Sequence, residues 1–382
     1  MQDALGVAKR PLPKPIPERI KEAREARGFT LDAFADALGV SRQAVAQYET
    51  GIIIPSGEVM GRIVSLTDQP LSFFTMLPAG RSAIATAFWR SLKRMEQHHR
   101  RRIMRRLQWA SDVTCLLERF IELPAVNLPP VEFSPDNDPE ESIEQVADAV
   151  RAFWRLGSGP ITDLAATLEQ NGIILIRENV DCEDMDAVSA WASGRPIILL
   201  ANEVESGPRD LFNLAHELGH MLLHTGVEVD STNLAQIERQ ADRFASAFLL
   251  PRDGFSREIF GTSLEFFKTL KRRWGVSIAA MAYRCKTLGI MSENQFSYLF
   301  KQMNIQRIRK VEPYDNAFPT SRPSLLAEAI KMLVEHRVYS RSQIEMELGT
   351  NMRDIESLCG VPKGYLDAKI VRMEFKRRPE KG

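Results

Sequence analysis

The run AHELGHMLLH, residues 215–224, constrains this chain more than any other feature. Residues four apart on a helix project from one face, so His216 and His220 can grip a single ion there. Glu217 cannot easily join them as a third ligand, but it can hold a metal-bound water and take its proton. The third ligand is expected from a second helix, IERQADRFASAFLLP, in which Glu238 and Asp242 again stand four apart. Glu238 is the expected ligand, and Asp242 the acceptor that fixes a ligand imidazole through its other ring nitrogen. His224, a further four residues on, could compete as a ligand and give a three-histidine site; a supporting role behind the ligands is preferred because Glu238 comes with Asp242. Zn2+ suits two imidazoles and a carboxylate with a fourth position open to water. It would acidify that water and polarise a peptide carbonyl, with Glu217 as the proton shuttle. A chance match would leave these as ordinary surface or core residues. The setting, an amphipathic helix after a strand and before a second helix, argues for a metal site.

At 382 residues the chain exceeds what one core usually holds, so two or three domains are expected. Residues 1–17 are Pro-rich and read as a flexible tail. A helical unit follows over 18–78, and basic connecting helices over 79–122. The Pro- and Asp-rich stretch 123–142 reads as a linker. Residues 143–255 alternate helix and strand: helices over 143–155 and 161–170, a strand at IILIREN, a strand pair AVSAWA and PIILLAN around Ser193-Gly194-Arg195, then helices to about Leu250. A helical module, 256–382, completes the chain; SQIEMELGTNMRDIESLCG within it has a weak helix-turn-helix look, and a small docking or dimer module is the preferred reading.

In the N-terminal unit, Thr30 is a plausible N-cap for LDAFADAL, which stops at Gly39, and Ser41 caps a second helix, RQAVAQYE. Two short helices joined by a Gly-containing turn form a helix-turn-helix layout. Phe34, Ala35, Leu38, Val40 and Val45 form the apolar wedge between them. Ser41, Arg42, Gln43 and Gln47 are left facing outward, residue types that suit phosphates, guanine edges and adenine edges.

GFTLDAFADALGVSRQAVAQYETGIIIPS resembles the Xre/lambda-repressor helix-turn-helix, over roughly residues 18–72. Where that family usually has Gln at the start of the first motif helix, this chain has Leu31, so affinity or site choice can differ. WASGRPIILLAN, RDLFNLAHELGHMLLH and ERQADRFASAFLLP resemble the ImmA/IrrE zinc metallopeptidases, over about residues 143–251. That resemblance implies a gluzincin-like site on His216, His220, Glu217 and Glu238; the family often has Asn in place of Asp242. The expected architecture is therefore α+β and predominantly helical: an all-α lambda-repressor-like domain, a central gluzincin-like α+β domain with a small sheet, and a helical C-terminal region. The resemblances imply a DNA-binding transcriptional regulator with an operator as one partner and a cleaved regulatory protein, such as an Xre-type repressor, as the other, in a stress or phage-related response. The alternative is a non-proteolytic repressor or antitoxin whose metal-binding domain senses or scaffolds. A homodimer is expected if the operator is two-fold.

The net charge is zero, from 50 Lys+Arg and 50 Asp+Glu. By segment it is +7 over 1–120, −16 over 121–260 and +9 over 261–382. The acidic middle would favour basic peptides. PIILLAN, as an edge strand beside the cleft, would let an extended substrate pair with it. The acidic domain could also dock on the basic reader and mask its DNA surface. The arginine-rich stretch FWRSLKRMEQHHRRRIMRRLQWASDVTCLLERFIEL is expected either to track phosphates or to be a packing, signalling or dimer helix. Four scattered cysteines form no disulfide framework; Cys182 is read as either a redox latch near the zinc or a bystander. No run approaches the ~20 apolar residues of a membrane span, so no membrane partner is expected and a reducing cytoplasm fits best.

Overall fold

The segment PIILLA, residues 196–201, has no polar face, and such a strand must be covered on both sides. In the computed structural model, which describes residues 14–77, 84–87, 95–135, 139–179, 185–201, 206–227, 230 and 232–366, it is. Four strands, β1 (Ile84–Ala87), β2 (Ile174–Glu178), β3 (Ala187–Ala192) and β4 (Arg195–Ala201), form one sheet in the order β1-β3-β4-β2. β3 and β4 are an antiparallel hairpin turning at Ser193 and Gly194, both with positive φ. β2 runs parallel to β4, and β1 antiparallel to β3. β4 therefore lies inside the sheet, bonded on both sides, and is not the edge strand expected of PIILLAN.

Side-chain alternation splits the sheet between two cores. Ile174, Ile176, Val188, Ala190, Ile197 and Leu199 pack into a core shared with the N-terminal and last helices. Leu175, Ala187, Ile198 and Leu200 pack into a second core built from the central helices. The sheet is thus a common wall rather than the property of one domain.

On its first side stand α1 (Pro17–Ala26), α2 (Leu31–Leu38), α3 (Arg42–Thr50), α4 (Gly57–Thr67) and α5 (Leu71–Thr75). Thr30 Oγ1 accepts from the Ala33 N–H and Ser41 Oγ from the Ala44 N–H, both at 3.1 Å, as their capping positions predict. Gly39 closes α2 at φ 64°. Phe34, Ala35, Leu38 and Val45 are buried between the helices, with Val40 half-buried. The long basic helix α6 (Gln97–Glu118) begins later than the sequence suggests, because residues 84–87 pair with β3 as a strand.

Arg102, Arg105 and Arg106 of α6 make intramolecular bonds, the last two as ion pairs. Arg105 bonds Glu25 at 2.9 Å, and Arg102 donates to the Asn179 carbonyl at 3.1 Å. Arg106 is buried between Glu178 at 2.7 Å and Asp354 at 2.6 Å.

The second side holds α7 (Glu140–Phe153), α8 (Leu164–Gln170), α9 (Gly207–Leu223), α10 (Leu234–Leu249), α11 (Arg252–Ser256), α12 (Leu264–Trp274), α13 (Ile278–Thr287) and α14 (Glu293–Ile305). The last three helices, α15 (Leu325–Glu335), α16 (Arg341–Leu348) and α17 (Met352–Cys359), return to the first core. The region 256–382 is therefore not one module: residues to about 308 complete the central core, and α15–α17 close the N-terminal one. The weak helix-turn-helix look belongs to α16 and α17, which dock against α6, α17 also against β2. Nor does the expected linker hang free. Arg195 donates to the Pro124 carbonyl at 2.7 Å and Trp154 to the Asn127 carbonyl at 2.8 Å. Any Cβ at Gly172 would collide with the Ala125 backbone, so the strap lies against that turn.

Asp354 ties three parts of the chain. It accepts from Arg27 at 2.7 Å, Gln69 at 2.6 Å and Arg106 at 2.6 Å. Burial pushes its carboxyl up, but the Arg106 and Arg27 guanidinium groups outweigh that and hold it below the usual range. Asp354→Ala strands Arg106 with one acid instead of two. It is expected to cost about 3–5 kcal/mol, the scale for breaking a buried pair, read from urea unfolding. A depressed carboxyl contributes stability above its unfolded pKa of ~4 and loses it as pH falls through the lower folded value. The stability gap between wild type and variant should therefore be constant from pH 7 to about 5 and close as the medium turns more acid.

Candidate metal centre and DNA-reading surface

The helices α9 and α10 approach closely because residue 219 is glycine: a Cβ there would stand 3.0 Å from the Phe244 ring. Pro208 at the start of α9 suits a first turn that needs no N–H. The close crossing sets the face of α9 carrying His216 and His220 opposite Glu238 on α10. His216 Nε2 and His220 Nε2 lie 3.0 Å apart, with Glu238 Oε2 3.3 Å from the first and Oε1 3.5 Å from the second. Ligand atoms of His216, His220 and Glu238 all fall within 4.8 Å of one another, a group able to hold a metal ion.

Each imidazole is oriented from behind. His216 Nδ1 meets Asp242 Oδ1 at 2.8 Å. Behind His220 runs a longer chain. Gln240 Nε2 donates to the Pro135 carbonyl at 2.8 Å, which turns its Oε1 toward His224 Nε2 at 3.0 Å. That oxygen accepts only from an N–H, so His224 Nδ1 carries a lone pair and accepts from His220 Nδ1–H at 3.1 Å. His220 then presents an unprotonated Nε2 to Glu238. His224 is fully buried behind His220 and is not in the group of three. Burial drives its pKa down to about 4, against the pull of Gln240, so it stays neutral.

The electrostatics favour a cation at the convergence. Burial alone would lower His216, yet its bonds to Asp242 and Glu238 and the nearby Glu217 charge raise it to about 10. Where those carboxylates draw a proton onto the ring, they can draw a metal ion instead. Once a metal ion replaces the His216 proton, two imidazole nitrogens and a carboxylate are the donor set that suits Zn2+.

Glu217, on the same helix, is buried, and Ser189 Oγ on β3 donates to its Oε2 at 2.5 Å. Burial raises its pKa, and the His216 charge and the Ser189 hydroxyl offset only part of that rise. A carboxylate moved toward neutrality in this way is suited to taking and returning a proton. A cleft of about 1210 Å³ meets the site at Asp242 and is lined also by Arg209, Phe212, Asn213 and Arg243. Cys182 lies outside the described residues.

Ser189 and Gln240 escaped the sequence reading. Ser189 had a legible signal, since it is the one hydroxyl in the otherwise apolar strand AVSAWA. Gln240 had none, because its role depends on the Pro135 carbonyl, a hundred residues away in sequence.

At the N-terminal end, Ser41, Arg42 and Gln43 are exposed and Gln47 is half-buried on α3. The Ser41 hydroxyl is engaged as the N-cap, and Arg42 sits 3.6 Å from Asp32 with both side chains about two-thirds exposed. Leu31 packs partly against the core. The start of α3 is exposed, so within the chain the central domain does not cover it there; α6 meets the acidic segment through the buried pair Arg106–Glu178.

Residues 168–286 match the family described as the IrrE N-terminal-like domain, a peptidase family, and residues 20–74 match the helix-turn-helix family. The chain thus joins an Xre-type helix-turn-helix DNA-binding domain to a metallopeptidase-type domain of the ImmA/IrrE kind. No curated protein matches it. No helix among the described residues is long and apolar enough to cross a membrane.

The chain from Pro135 to His220 predicts an effect at a distance. Gln240→Leu keeps the volume but removes the acceptor that fixes the His224 tautomer. It is expected to weaken Zn2+ affinity by about 10–100-fold, measured by competition with a chromophoric chelator, with the far-UV spectrum unchanged.

Proposed function

We propose that this protein is a DNA-binding transcriptional regulator whose central domain is a zinc-dependent endopeptidase acting on a regulatory protein. The observation that carries the reading is the convergence of His216, His220 and Glu238 beside a buried Glu217 whose carboxylate is held by Ser189. The two histidines and Glu238 would hold Zn2+, with Asp242 and His224 fixing the rings from behind. When bound, Zn2+ supplies a Lewis acid that polarises a carbonyl and acidifies water. Glu217 would take the proton of the attacking water and hand it to the leaving amine, while Ser189 keeps the carboxylate aimed between the two. The cleft beside Asp242 would admit the polypeptide. A purely sensing role for the domain would need the metal group but not a proton carrier aligned next to it.

Ser41, Arg42, Gln43 and Gln47 would face the operator, Arg42 and Gln43 reading base edges and Ser41 and Gln47 the phosphates or bases near them. A two-fold operator would be read by a homodimer.

Glu217→Gln is the separating variant. It is expected to keep Zn2+ and operator binding and to lose hydrolysis of the partner regulator by about 10²–10⁴-fold. Normal regulation by this variant would contradict the enzymatic reading. At the other end, Arg42→Ala and Gln43→Ala should each weaken operator binding by about 1–3 kcal/mol in gel-shift titrations. They should leave hydrolysis unchanged.

A further inference from the structure

A peptide that joins a sheet by strand addition needs a free edge close to the reacting groups. Ser189 of β3 is the strand residue bonded to Glu217, so the edge nearest the site is the outer edge of β3. The inner edge of β3 is taken by β4, and β4 is taken on its far side by β2. The outer edge is occupied as well. β1, residues 84–87, pairs along it antiparallel, with Ile84 opposite Ala192, Thr86 opposite Trp191 and Ala87 opposite Ala190. Ala190 is the immediate neighbour of Ser189. β1 therefore ends its described course one register position short of the residue that holds the proposed proton carrier.

This strand does not belong to the fold of the central domain in sequence. It comes from the connection between the helix-turn-helix and α6, about a hundred residues before its partner strand. It is also short, four residues long, with an irregularity in the pairing between Ile84 and Thr86. The connection around it, residues 78–94, reads PAGRSAIATAFWRSLKR, with Arg81, Arg90, Lys93 and Arg94 and no acidic residue. The segment it meets, 121–260, carries a net charge of −16. Small residues, Thr86 and Ala87, at the pairing positions nearest Ser189 and cations on both flanks are the chemistry of an extended basic peptide attracted to an acidic site.

We infer that the outer edge of β3 is the peptide-binding edge of the metallopeptidase-type domain, and that residues 84–87 of the chain occupy it as a built-in competitor. The inference rests on the proposed peptidase reading. It adds the substrate class, an extended segment with small residues and basic flanks running antiparallel to β3, and a means of control. Any substrate strand must first displace β1. Because β1 lies between the DNA-reading domain and α6, a change in how that domain is held can bear directly on access to the site.

The test uses the full chain and a fluorescein-labelled peptide of residues 78–94. The double variant T86P/A87P removes two backbone donors from β1 and touches none of the groups assigned to the metal centre. With metal chelated, so that no hydrolysis intervenes, anisotropy should show the peptide binding the variant at least tenfold more tightly than wild type. Equal binding overturns the inference. Wild type alone supplies a second measurement. Excess unlabelled peptide should speed amide exchange over residues 84–87 while β3 stays protected, and exchange left unchanged by the peptide also counts against the competitor. Zinc-loaded protein then separates the two readings. Tighter binding by the variant without cleavage by either protein keeps the edge assignment and removes the peptidase. Equal cleavage by both keeps the peptidase and removes β1 as its competitor.

Discussion

Everything in this molecule hangs on a four-stranded sheet buried on both faces. Because Ile197 and Leu199 point one way and Ile198 and Leu200 the other, neither α6 with the last helices nor the central helices can leave without exposing half of the sheet. Burial of this kind is the dominant favourable term in folding. It is reinforced by Arg106, which bridges Glu178 at the end of β2 to Asp354 on α17. Desolvated charges of this kind add little net stability but penalise any arrangement that separates them. The reader, packed through α1 on α6, is thereby held to the same wall as the metal-binding half rather than strung from it.

The same wall places the candidate centre. β3 sends Ser189 to Glu217, and the glycine-permitted crossing of α9 and α10 sets Glu238 against His216 and His220. Behind them, Asp242 and the Pro135–Gln240–His224 chain fix which nitrogen of each ring faces the centre. The proposed chemistry needs orientation more than extra ligands, and the residues that orient, Pro135, Ser189, His224 and the pair Gln240 and Asp242, come from four separated stretches of chain.

Much of this was legible in the sequence because it is local. Thr30, Gly39 and Ser41 declare the ends of α2 and α3 within a few residues, and the four-residue spacings of His216 with His220 and of Glu238 with Asp242 declare two helix faces. The hairpin around Ser193-Gly194 was legible for the same reason. What escaped depends on distant partners. The apolar run PIILLA announces a strand but not whether it is an edge. The pairing of Ala87 with Ala190 and the return of α15–α17 to the first core leave no local trace. The α6 arginines look like a DNA track until Glu25, Glu178 and Asp354 are placed beside them. Net charge counted by segment does not say which residues meet: Arg106 pairs with Glu178 of the acidic segment, but Arg105 pairs with Glu25 of its own.

The central claim is that His216, His220 and Glu238 hold one zinc ion with a position open to water. X-ray absorption at the zinc edge of the loaded protein tests it most directly. The account predicts two imidazole nitrogens at about 2.0–2.1 Å, one carboxylate oxygen at about 2.0–2.2 Å and one further light oxygen. Glu238→Gln should perturb the carboxylate contribution. A sulfur scatterer near 2.3 Å, or a third imidazole in place of the carboxylate, would contradict it.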